Sequence, residues 1–252
     1  MLVVSPAVCK DVTIEEYLDD VRRCRTQNGR DENGISTLCS AIDKFRSPYL
    51  VEELLKDGVD VNIVSCFPSP FGLYCGRART RFIRWGVFAP IHIAVSLGLH
   101  KIVKLLWENG ADLKSKTSKE IEPVDFLFSD ITLRCFEKGL SVSEEDDYEI
   151  LRLMYAAGVD LNTKNKRYSQ STLLHRVTNL SNLKITRYLV SHGCDVNCVD
   201  FNGKTPLQYC GVDTLDCAKI LLQNHADPNC RDSFGNTIYH NVCRVWGSYE
   251  KG

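Results

Sequence analysis

No apolar run in this 252-residue chain approaches the roughly 20 residues of a membrane-crossing helix, so no membrane span is expected. The stretch from Met1 to Cys9 is mildly apolar but short, and no basic residue precedes it, which argues against a secretory signal. Net charge is also nearly absent, at −1. Nothing in the overall balance therefore calls for nucleic acid or an anionic membrane as partner. Catalytic signatures are missing too: there is no Gly-rich phosphate loop, no His-Glu-x-x-His and no Gly-x-Ser-x-Gly. Scattered Asp and Glu pairs have no context that marks a general acid and base. No catalytic residue and no cofactor is assigned, and the chain is read as a non-enzyme.

Cysteine, by contrast, is plentiful, with twelve residues. Several stand where a small apolar residue would serve, which reads as free thiols used as small hydrophobes. With no signal peptide, a reducing compartment follows, the cytoplasm or the nucleus. Cys66 and Cys75 are close enough in sequence to pair under oxidation. Cys194 and Cys198 have one residue too many between them for a zinc knuckle and no second pair nearby, so a zinc site is rejected.

The dominant feature is a phrase that opens a helix six times. It begins at Ser36, Ala89, Glu122, Thr172, Thr205 and Thr237, and its fullest form is Thr205-Pro206-Leu207-Gln208. The steps between starts are 53, 33, 50, 33 and 32 residues. A fixed period of this size marks a stacked repeat array. Thr205 suits an N-cap, and Pro206 suits the first helical position, where its missing N–H is no loss. Before the phrase, Asp31 to Gly34, Asp200 to Gly203 and Asp232 to Gly235 each place glycine three residues after aspartate, a turn signal.

A second apolar-striped helix follows in each of the first five units, around Leu54, Leu106, Leu153, Leu189 and Leu221. Gly58, Gly110, Gly158 and Gly193 close four of them with a residue suited to a left-handed cap, and His225 closes the fifth. Short extended stretches come next, such as Val59 to Asn62 and Cys194 to Asn197.

Turn, helix, helix and extended finger at this period resemble the ankyrin repeat. Thr205 to Leu207, Pro90 to Ala94, Gly110 to Asp112 and Gly193 to Asn197 carry the match. The resemblance implies an all-α ankyrin-repeat solenoid, helix-turn-helix units with β-hairpin fingers. About five full repeats and a partial sixth are expected, at 31–62, 89–113, 120–162, 168–197, 200–229 and 232–242. Residues 1–30 are expected to form an N-terminal cap, with one amphipathic helix over 12–27. Residues 243–252 read as a short C-terminal tail. The sixth unit is expected to stop within its first helix, which points to a truncated product or an end completed by a partner. His92, His175 and His240 hold the fourth place of the phrase, which the resemblance makes structural, bridging to the neighbouring repeat's backbone.

The two long steps locate inserts at 63–88 and 129–147. The first contains no Asp or Glu. It holds Arg77, Arg79, Arg81 and Arg84 among Phe67, Phe71, Tyr74, Phe82, Trp85 and Phe88, and residues 77–81 alternate as a strand with one basic face would. Arginine with aromatics is the composition of a binding hot spot. Arg77, Arg79, Arg81, Phe82, Arg84 and Trp85 are therefore the candidate partner-binding residues; the alternative is a loop whose aromatics pack back on the array. The second insert ends in an acidic run that Ser143 would cap, at the start of a helix.

Such arrays work as binding surfaces. The expected function is a non-catalytic protein–protein interaction module or scaffold, binding a partner protein through the concave surface and the basic-aromatic finger insert. The alternatives are a substrate-recruiting adaptor of a ubiquitin ligase and an inhibitor of a transcription factor. A monomer is expected. The resemblance also implies a modification. Leu54 and Leu189 stand eight residues before Asn62 and Asn197, similar to the pattern used in this family by a 2-oxoglutarate-dependent asparaginyl hydroxylase. The other reading is that both asparagines cap the finger turn.

Overall fold

Serine, threonine or alanine followed by a short apolar run starts most of the first helices, and each of the first five is followed by a second helix of equal or greater length. In the computed structural model these are α1 (Ile14–Arg23), α2 (Thr37–Phe45), α3 (Pro48–Lys56), α4 (Pro90–Ser96), α5 (His100–Glu108), α6 (Glu144–Ala156), α7 (Leu173–Asn179), α8 (Leu183–Ser191), α9 (Leu215–Gln223) and α10 (Ile238–Tyr249). The structure describes residues 13–23, 29, 35–66, 87–117, 120–128, 144–165, 169–211 and 214–249. The chain divides into two compact units, Met1–Ala157 and Gly158–Gly252.

In the first unit, α2 and α3, then α4 and α5, form consecutive helical pairs, and α6 packs beside α5. Leu38, Ile42, Leu54, Ile91, Leu106 and Met154 are fully buried between them. α1 lies against α2 and α3. Tyr17 donates its hydroxyl to the Thr37 carbonyl at 3.0 Å and its ring meets Phe45, while Arg22 pairs with Glu53 and Asp57. Its described helix begins at Ile14, after the start at residue 12 expected from the sequence. At the base of the first insert, β1 (Ser65–Cys66) pairs antiparallel with β2 (Val87–Phe88), in the register Ser65 to Phe88 and Cys66 to Val87.

The second unit repeats the arrangement with α7 and α8, then α9, then α10. Leu174, Val177, Ile185, Leu189 and Leu221 make its core. Two first helices are shorter than the phrase predicts. Pro123–Phe126 and Pro206–Tyr209 are single 3₁₀ turns, left by extended backbone at Leu127 and Cys210. Cys210-Gly211-Val212 is poor helix-forming sequence, so nothing favours a second turn. The C-terminal tail expected from residue 243 is likewise corrected. α10 runs on to Tyr249, because Val242, Val245, Trp246 and Tyr249 keep helical apolar spacing.

Second helices end alike whatever residue closes them. Gly58, Gly110 and Gly193 have φ of 84°, 89° and 81°, and His225 adopts 68°. The following N–H reaches back five residues, from Val59 to Leu54, Ala111 to Leu106, Cys194 to Leu189 and Ala226 to Leu221. This is the Schellman closure, and it turns the chain into the finger.

Candidate interaction surface

The fourth residue of the phrase accepts a hydrogen bond from the backbone N–H that opens the helix. Ala89 donates to His92 Nδ1 at 3.3 Å, Glu122 to Asp125 Oδ2 at 3.0 Å, Thr172 to His175 Nδ1 at 3.1 Å, Thr205 to Gln208 Oε1 at 2.9 Å and Thr237 to His240 Nδ1 at 3.2 Å. This is the returning half of a capping box. The Thr205 hydroxyl itself has no partner, so the threonine is capped rather than capping. Repeat one uses another device: Cys39 stands at the fourth place, and the Ser36 N–H donates instead to Ser65 Oγ at 2.8 Å, on β1.

The far side of three of these side chains reaches the next finger. His92 Nε2 lies 3.1 Å from the Ser115 carbonyl and His175 Nε2 lies 3.0 Å from that of Lys204. A carbonyl only accepts, so these partners assign the proton to Nε2. Gln208 Nε2 donates to the Cys230 and Asn236 carbonyls at 3.1 and 2.8 Å. Burial holds the His92 pKa down at about 4 and lowers that of His175. Both are thus neutral bridges.

Asparagines make a second ladder. Asn62 Nδ2 donates to the Gly110 carbonyl at 3.0 Å, and its Oδ1 accepts from the Asp112 N–H at 3.2 Å. In the second unit Asn162 grips Gly193 and Asp195, and Asn197 grips His225 and Asp227. Sequence reasoning placed Asn62 and Asn197 at the finger turn; their grip on the following repeat had no local signal, since it spans 28 to 50 residues. Asn162 stands at the same place in its own finger stretch and makes the same grip.

These ladders consume the polar side chains inside the fingers and leave others outward. Asp200 is buried, with Oδ1 accepting from the Asn202 and Lys204 N–H groups and Oδ2 from the Tyr209 hydroxyl at 2.6 Å. Asp232 accepts likewise from Phe234 and Asn236. Beside these closed turns, Phe201 and Phe234 are 74% and 79% exposed. In the first unit, a cavity of about 290 Å³ lies between fingers, lined by Asn62, Val64, Val87, His92, Asp112 and Ser115 among others. The buried Ser115 hydroxyl has no partner.

Arg77, Arg79, Arg81, Phe82, Arg84 and Trp85 lie outside the described residues, as do Ser143, most of the second insert and the first turn at Asp31 to Gly34. Among the described cysteines, seven are free thiols. Burial pushes Cys194 and Cys210 up to about 12. No described helix is long and apolar enough to cross a membrane.

Comparison with known proteins agrees with this geometry. The family model for three copies of the ankyrin repeat matches residues 140–244, and the single-repeat model matches residues 88–118. Human transient receptor potential cation channel subfamily A member 1 is 27% identical over 169 residues, covering 66% of this chain and 14% of its own length. Alpha-latroinsectotoxin-Lt1a of Latrodectus tredecimguttatus is 34% identical over 97 residues, 36% of this chain and 7% of the toxin. The chain thus spans a small fraction of these relatives. The ankyrin repeat domain of Bcl-3, a member of the IkappaB protein family, superposes with a TM-score of 0.62 at 14% identity, covering 91% of this chain and 87% of that one. Phrase, bridging fourth residue and finger ladder are the working parts of one repeat, and the matched models account for more than half of the chain: it belongs to the ankyrin-repeat family.

Proposed function

We propose that this chain is a non-catalytic binding module that captures a partner protein on its fingers and first helices, with the insert between repeats one and two setting specificity. The supporting observation is where that insert leaves the array. Its ends are paired as β1 and β2, and Val64 and Val87 at that neck line the cavity that also contains Asn62, His92 and Asp112. The described ends of the segment that carries Arg77, Arg79, Arg81, Phe82, Arg84 and Trp85 thus border a recess in the finger surface. Arginine and aromatics are the composition of an interface anchor.

Replacing Arg77, Arg79, Arg81, Arg84 and Trp85 with alanine is expected to abolish capture of partners in affinity purification with mass spectrometry, with helical circular dichroism unchanged. Undiminished capture would sink the assignment of specificity to the insert. Asn62 and Asn197 are proposed hydroxylation positions as well. Mass spectrometry of both peptides after co-expression with the hydroxylase tests this, and unmodified peptides end the idea.

A further inference from the structure

The fingers of the second unit separate their charges along their length: Asp160, Asp195 and Asp227 are exposed where the fingers begin, and the tips differ. Asp200 and Asp232 are closed inside turns. Lys164 and Arg231 occupy equivalent places two residues after Asn162 and Asn229, and both are exposed. Between them, at the same place on the middle finger, is half-exposed Val199, whose carbonyl accepts from Lys164 Nζ at 2.8 Å. Lys204 is partly exposed, its ammonium 5.7 Å from the Tyr209 ring. Neighbouring tips are joined in register: the Phe201 N–H donates to the Ser169 carbonyl at 2.7 Å and the Ser233 N–H to that of Asn202 at 2.9 Å. Phe201 and Phe234 project from adjoining fingers into solvent. Every solvent-facing charge on the described tip segments 163–165, 169–171, 198–204 and 230–236 is positive, and it sits beside bare aromatic surface.

We infer that this edge binds an acidic protein segment bearing two apolar side chains. The inference rests on the protein-binding reading above and adds the chemistry of the partner. Its acids would meet Lys164, Lys204 and Arg231, and its apolar side chains would cover Phe201 and Phe234. A guanidinium and two ammonium groups beside aromatic rings suit carboxylates and rings together. The two apolar side chains are set among Asp and Glu. Asp200 and Asp232 are buried in their turns, so the described tip segments themselves expose no carboxylate to a basic segment.

The test is selection of a random 12-residue peptide display library on the full 252-residue chain. Enriched peptides should be acidic and carry at least two apolar residues. Their affinity should fall at least about tenfold in K164E/K204E/R231E and in F201A/F234A, and weaken with added salt. Circular dichroism verifies that both variants keep their helices. Enrichment of neutral or basic peptides, or of acidic ones indifferent to both variants, overturns the inference while leaving the binding-module reading intact. No enriched peptide at all would count against both.

Discussion

At the scale of single residues, His92 makes folding sensitive to acid. Its folded pKa is near 4 because it is buried, against an unfolded value of about 6.5. As pH falls below 6.5 the unfolded chain takes up a proton that the folded chain refuses. Stability is therefore complete above pH 6.5 and is lost as pH falls toward 4. The loss between pH 7 and 5 is about 2 kcal/mol, and His175 acts in the same direction. Gln208 already makes both of the equivalent bonds in repeat five without titrating. His92→Gln is expected to keep stability at pH 7 and to flatten the dependence, read by urea denaturation at both pH values. The thiols give a second residue-scale prediction. Alkylation with peptide mapping at pH 8 should modify exposed Cys243 in the native chain, and Cys194 and Cys210 only after denaturant is added, because their thiolates are suppressed by burial. The histidine's structural role was implied by the ankyrin resemblance, through its place as the fourth residue of the phrase. The roles of Cys39 and Ser65 were not, since the acceptor for Ser36 comes from 29 residues away.

At the scale of elements, the closure of α9 is the weak point of a regular pattern. His225 takes the left-handed conformation that glycine takes elsewhere, at a cost of about 1 kcal/mol for a side-chain-bearing residue. Its carbonyl, not its ring, receives Asn197. His225→Gly is expected to raise unfolding free energy by about 1 kcal/mol in denaturant titration. Asn197→Ala removes both halves of a finger-to-finger grip and should lower it by about 1–2 kcal/mol. Periodicity located the helix pairs well because burial of one stripe decides their existence. It overestimated the first helices at Pro123 and Pro206, where a capped single turn already fills the space, and it ended α10 too soon. Helix length depends on residues that no repeat template constrains: Cys210-Gly211 stops one turn early, whereas Val242 to Tyr249 keeps the spacing that lets another continue.

At the scale of the whole chain, two compact units each contain a complete set of repeat couplings, and the first also contains the neck of an insert. Replacing residues 67–86 with Asn-Gly joins Cys66 to Val87 by a turn that suits their antiparallel pairing. The thermal midpoint is expected to stay within a few degrees of the parent in calorimetry, while partner capture is lost. The position of this insert was legible from the broken period; its closure was not, because two-residue strands leave too little alternation to read. The neck has a wider consequence. Once Ser65–Cys66 and Val87–Phe88 are joined, the segment between them is a closed loop whose ends no longer depend on its contents. Doubling such a loop adds only about 0.6 kcal/mol of closure entropy. The stack can therefore tolerate wholesale exchange of the sequence between them, and the neck acts as a grafting point where that sequence can change independently of the fold that holds its ends.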